Sequence, residues 1–138
     1  MPDLQPDHAF VYRALLKKAY LHPETQEIQP EAFWRRPKND WLGLSVGFTP
    51  EQSTRPFSKT YGVVELAVAD VYNLLLEVVK TAEDHANLTG VPRRAEIKEL
   101  DELSELYQQF RDLLVYDTDK AEFLARKLAE ISRLVTPL

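Results

Sequence analysis

All four glycines and eight of the nine prolines of this 138-residue chain lie in its first 92 residues. Glycine admits backbone conformations closed to other residues, and proline fixes φ and lacks an N–H, so both punctuate regular structure. The first two thirds must therefore be short elements joined by turns. From Arg94 onward, with neither residue until Pro137 and with Glu, Leu, Lys and Gln dominant, the sequence predicts helix.

Three of the four glycines fall inside two cassettes, Asp40-Trp41-Leu42-Gly43-Leu44-Ser45-Val46-Gly47 and His85-Ala86-Asn87-Leu88-Thr89-Gly90-Val91-Pro92. Backbone freedom thus coincides with a carboxylate, a hydroxyl and an imidazole. Such a coincidence marks a site or a tight structural turn.

The segment Phe10 to Leu16 reads as a strand, which places Val11, Arg13 and Leu15 on one face, against a short helix that would set Phe10, Ala14 and Lys17-Lys18 in successive turns. His22-Pro23-Glu24-Thr25 reads as a turn, and Pro30 to Trp34 as one or two helical turns with Pro at N1, ended by Pro37. Residues 42–48 form a strand candidate, and Thr49 caps a helix with Pro50 at N1 and Gln52 at N3. Residues 61–80 are nearly continuously apolar and rich in β-branched side chains. They predict strand, a short helix over Asp70 to Leu74, then strand, with one helix throughout as the rival reading. Beyond residue 94, Leu100, Leu103, Tyr107, Phe110 and Leu114 repeat at helical spacing, as do Leu124, Leu128, Ile131 and Val135. The break at Tyr116 to Asp119 predicts a helical hairpin, with Asp119 and Glu122 as a capping box.

At 44% hydrophobic residues, the chain has the apolar content for one packed domain spanning 1–138. It has no cysteine, which excludes disulfides, thiolate catalysis and Cys-ligated metals and fits a reducing, cytoplasmic setting. The polar, acidic start lacks the pattern of a secretory signal. A net charge of -5 disfavours nucleic acid and anionic membrane as partners. Arg35-Arg36 with Lys38, and Arg93-Arg94, are small basic spots that read as solvated loop. The acids Glu96, Glu99, Asp101, Glu102 and Glu105 read as a solvated helix face.

Nucleophilic catalysis would use Ser45 with His85 as base and Asp40 or Asp84 to orient it. Gly43-Leu44-Ser45-Val46-Gly47 has the outline of a nucleophile elbow, but Phe48-Thr49-Pro50 follows where the elbow needs a helix. His8, His22 and His85 lack metal-ligand spacing, and no glycine-rich phosphate loop can be drawn, so neither metal nor cofactor is expected. The bland alternatives are that His85 fixes its own turn and that Asp40 caps the backbone before the second strand.

The order of Arg13, Ser45 and a later acid, Glu65 or Glu77, resembles the loose pattern of ADP-ribosyltransferase-like folds. That likeness implies an arginine on a diphosphate and an acid steadying a ribose. The two cassettes, with Tyr12-Arg13-Ala14 before them and Tyr61-Gly62-Val63 between, also resemble the D-x-x-G-L-S-V and H-A-x-x-x-G-x-P signature of small uncharacterised prokaryotic proteins, cyanobacterial ones among them. This second likeness, over residues 10 to 92, implies a shared compact core and a bacterial cytosolic setting, and carries no activity.

The expected fold is α+β: a small sheet with short helices in residues 10–92, followed by a C-terminal two-helix hairpin over 94–136. Two functions are expected. One is an interaction or accessory module, associating with a protein partner or as a homodimer through the C-terminal helices. The other is a small nucleotide- or NAD-related transferase using Arg13, Ser45 and His85, with Asp40, Arg13 and His85 as binding residues for a small-molecule ligand.

Overall fold

The computed structural model describes residues 9–36, 40, 43–94 and 117–137. It is α+β, with two three-stranded antiparallel sheets ordered β1-β3-β6 and β2-β5-β4. The strands are β1 (Phe10–Ala14), β2 (Leu44–Val46), β3 (Gly62–Ala67), β4 (Glu77–Ala82), β5 (His85–Thr89) and β6 (Arg133–Pro137). One antiparallel bridge joins the sheets: Tyr12 N–H donates to Gly47 O at 2.9 Å and Gly47 N–H returns to Tyr12 O at 2.8 Å. Arg13 is one residue from that seam and Ser45 two.

Residues 61–80 fold as their β-branched runs predict, into β3, the short helix α2 (Val68–Asn73) and β4. β3 is central to its sheet and carries three buried residues in succession at its start, Gly62, Val63 and Val64, which explains the unbroken apolar run. The Pro30 segment is a 3-10 turn over Pro30–Phe33 that buries Phe33 completely. Thr49 caps α1 (Pro50–Thr54), its hydroxyl accepting from Gln52 N, while the Gln52 side chain accepts from Phe48 N.

The tail departs from the expected hairpin. α3 (Thr118–Ile131) is capped by Asp117, whose carboxylate accepts from Lys120 N at 3.1 Å, two residues before the Asp119 box the sequence suggests. Its stripe of Ala121, Leu124, Ala125 and Leu128 is buried. The helix then stops at Ile131, and residues 133–137 pair with β3 as β6 instead of extending it to 136. Leu134-Val135-Thr136 gains a ladder on the open edge of β3, with Arg133 set opposite Glu65 and 2.8 Å from its carboxylate. Edge pairing and β-branched side chains outweigh local helical preference there. The division at residue 92 is also overridden, since the tail completes a sheet begun at residue 10. Residues 95–116, holding the hairpin's first helix and its acidic face, lie outside the described residues, as does Lys38. No helix among the described residues is long and apolar enough to cross a membrane.

α2 ends in a Schellman motif: Leu75 N–H donates to Tyr72 O at 2.9 Å and Leu76 N–H to Val71 O at 3.4 Å. The left-handed position that glycine or asparagine normally takes is held by Leu75, at φ 63. Its side chain is 92% exposed. Leu75→Asn therefore relieves backbone strain without losing packing, and is expected to raise stability by about 0.5–1 kcal/mol. Urea denaturation checks this through a higher midpoint at unchanged slope, and a lower midpoint would count against it.

Candidate active site

Arg13 occupies an inward position on β1, on the same face as Val11, and is 1% exposed. All five of its N–H donors are committed. Nε donates to Ala32 O at 2.8 Å, Nη1 to Asp40 Oδ1 and Ser45 O, and Nη2 to Asp40 Oδ2 at 3.0 Å and Trp34 O. Asp40 is equally saturated, accepting in addition from Ser45 N at 2.8 Å, from Arg36 N at 2.8 Å and from Arg36 Nε. Burial alone would raise the Asp40 pKa, but the charges of Arg13 and Arg36 outweigh it and hold the carboxyl well below the usual carboxylate range. The buried pair therefore clamps Ser45 at both its N–H and its carbonyl. Arg13 has no donor left for a diphosphate, which corrects the role the transferase likeness implied for it.

The side chain of Ser45 meets His85. Across the β2–β5 ladder Ser45 faces Asn87, and His85 lies at the diagonal position two residues on. Ser45 Oγ is 2.6 Å from His85 Nε2, and His85 Nδ1 is 2.6 Å from Thr81 Oγ1. Thr81 is brought there by a register shift between Lys80 and Ala82, which leaves it as the extra residue of β4. Its hydroxyl points toward the His85 carbonyl at 3.4 Å, so its oxygen is free to accept from Nδ1–H. In the tautomer that carries its proton on Nδ1, Nε2 accepts from the serine hydroxyl. Burial lowers the His85 pKa from its ordinary 6.5, only partly offset by Asp84 and Asp40, so the imidazole is neutral at pH 7.

Glycine makes this register attainable. A Cβ on Gly43 would stand 2.4 Å from Leu88 O on β5, and Gly90 closes β5 at φ 101. Asp84 pairs with exposed Arg55 rather than with the imidazole. Glu65 serves Tyr12 and Arg133, and Tyr12 points to the face opposite Arg13; Glu77 opens β4 opposite Thr89 and is exposed. The structure thus brings Arg13, Asp40, Ser45 and His85 together and leaves both candidate acids elsewhere.

The basic spots are not solvated loops. Arg93, 2% exposed, donates to Arg36 O and to Asp40 O, while Arg35 donates to Asp40 O and Val91 O. Arg94 lies over the Trp34 ring at 3.5 Å and Arg36 over Phe57 at 5.3 Å. Burial and the charge of Arg93 push Arg35 down to about 10, and burial also lowers Arg36 and Arg93. Sequence reasoning missed these arginines and Thr81. The arginines carried a signal in their placement, one pair four to five residues before Asp40 and the other directly after Pro92. Thr81 carried none, because its position depends on the register shift.

Two clefts, of about 680 and 810 Å³, flank the loop around Gln26 and Gln29 and are lined by neither Ser45 nor His85. Lys18, Glu31, Arg126, Glu130 and Arg133 line them as ordinary surface charge, with no base set against a hydroxyl. The serine–histidine pair lies outside both clefts. Comparison with family models, curated proteins and solved structures returned no match.

Proposed function

We propose that this chain is a small group-transfer enzyme in which Ser45 is the reactive hydroxyl and His85 its general base. The observation that carries this is the 2.6 Å contact from Ser45 Oγ to a neutral imidazole whose other nitrogen is held by Thr81. In the reaction Ser45 Oγ bonds to the electrophilic centre as its proton passes to His85 Nε2. The leaving group then departs with that proton, and an acceptor later takes the transferred group from Ser45. A hydroxyl in place of the usual carboxylate orients the histidine without neutralising the imidazolium, so the serine is less activated than in an acid-backed triad.

Association through the C-terminal helices has less support, because α3 buries Leu124, Ala125 and Leu128 in the chain's own core.

A fluorophosphonate probe tests the proposal independently of the substrate. The Ser45 Oγ–P bond forms, the P–F bond breaks, fluoride leaves and the proton goes through His85 to solvent. Intact mass should show one adduct, absent in Ser45→Ala and slowed by about a hundredfold or more in His85→Ala. An unlabelled wild-type protein, or labelling that survives Ser45→Ala, overturns it. The rate should fall with decreasing pH through an inflection below 6.5, because burial disfavours the charged imidazole. Stability should decline over the same window: the unfolded chain binds the His85 proton near 6.5 and the folded one only below it.

A further inference from the structure

We infer that Trp34, Arg36, Arg93 and Arg94 form a receptor for a phosphate group beside Ser45, the handle by which a nucleotide-class substrate is held. The assignment of that handle to a substrate rests on the group-transfer reading; the phosphate site itself does not.

Two observations carry it. The first is charge. The guanidinium groups of Arg13 and Arg36 touch the Asp40 carboxylate, and those of Arg35 and Arg93 touch its carbonyl. Among the described residues, Asp40 is the carboxylate paired with Arg13 and Arg36, and Glu122 lies 4.0 Å from Arg94 Nε. With Arg13, Arg36, Arg93 and Arg94 set against Asp40 and Glu122, positive charge is in excess among the described residues, at a site largely removed from water where an anion would be strongly favoured.

The second is the identity of the unpaired groups. Five buried side-chain polar atoms among the described residues lack a hydrogen-bond partner, and four are N–H donors of these residues: Trp34 Nε1, Arg36 Nη1, Arg93 Nε and Arg94 Nε, the last with only the 4.0 Å ion pair to Glu122. Buried donors are ordinarily satisfied, and a cluster of donors with no acceptor is the complement of an oxyanion. Trp34 and Arg36 flank one segment and Arg93 and Arg94 form another, more than fifty residues away. The segments are locked together by Arg93 Nη1 to Arg36 O and by Arg94 stacked on Trp34.

Position links the cluster to the reactive hydroxyl. Asp40 holds Arg36 on Oδ2 and the Ser45 N–H on Oδ1, so one carboxylate separates them. Planar guanidinium forks match the oxygens of a phosphate bidentately.

The test is calorimetric titration of the full chain with inorganic phosphate, ADP and adenosine at fixed ionic strength. Phosphate should bind, ADP more tightly, and adenosine at least tenfold more weakly than ADP. Arg36→Gln and Arg93→Gln should each weaken ADP by about tenfold to a hundredfold, the loss of one charge-assisted contact. Because those residues are buried, Arg94→Gln and Trp34→Phe supply variants at a partly exposed charge and at a single donor, and each should weaken ADP about tenfold. No phosphate binding, or affinities unchanged in all four variants, overturns the site; ADP no tighter than phosphate overturns the substrate handle. Ser45→Ala separates the two proposals: it should keep ADP binding while losing the fluorophosphonate adduct. An adduct formed by a protein that binds no phosphate sinks this inference alone.

Discussion

Asp40→Asn is expected to cost about 3–5 kcal/mol, because it removes the carboxylate that, among the described residues, compensates a fully buried arginine. The amide is nearly isosteric, and its oxygen can still accept from Ser45 N. What it cannot do is neutralise Arg13, whose side chain is 1% exposed, or Arg36 beside it. For a chain of this size the loss corresponds to a fall in Tm of about 10 °C or more. The contrasting variant is Asp84→Asn. Its ion pair with Arg55 is exposed on both sides, so water and salt already screen it, and the change should stay under about 1 kcal/mol. Urea denaturation of the two variants side by side checks the comparison, and equal losses would remove the case for Asp40 as the keystone of the buried network. The pH dependence has a definite sign. The folded pKa of Asp40 lies below its unfolded value of 3.8, so its contribution is whole above that value. It is lost as pH falls from there through the folded pKa.

The parts of this fold legible in the sequence are those decided by neighbours in the chain. β1, α1 and the strand-helix-strand of residues 62–82 follow from alternation, a capping threonine and β-branched runs, all local signals. The fate of residues 133–137 was not local. It depends on an edge of β3 some seventy residues earlier, and nothing between Leu124 and Val135 announces that the helix must stop. The Asp117 cap was obscured for a simpler reason, since aspartates stand at 117 and 119 and either could cap. In the candidate site the cassettes marked Asp40, Ser45 and His85 because glycine revealed where backbones must approach closely. The burial of Arg35, Arg36 and Arg93 ran against the usual behaviour of charged pairs. It is overridden by one carboxylate and one carbonyl of Asp40, a convergence that spacing alone does not encode.

Arg13 provides the second large effect, and it separates a buried ion pair from a network. Arg13→Met is expected to cost about 3–5 kcal/mol, through three carbonyls left without a donor and a carboxylate left with less compensation. In an isolated pair, replacing both charges by apolar residues is often neutral. Here Arg13→Met with Asp40→Leu should remain well below the wild type. Asp40 also serves Ser45 N and Arg36 N, and Arg35, Arg36 and Arg93 stay in place with their charges. A double-mutant cycle by urea denaturation should still give a coupling of about 2–3 kcal/mol, since the two groups share two hydrogen bonds. Ser45 supplies a readout that stability alone would not move. Its N–H and carbonyl are held by the two partners, so each single variant, at temperatures where it is folded, should lose fluorophosphonate labelling by tenfold or more. Additive stabilities with undiminished labelling would reduce Arg13 and Asp40 to independent core residues, whereas coupled losses in both measurements tie the buried charge pair to the placement of the reactive serine.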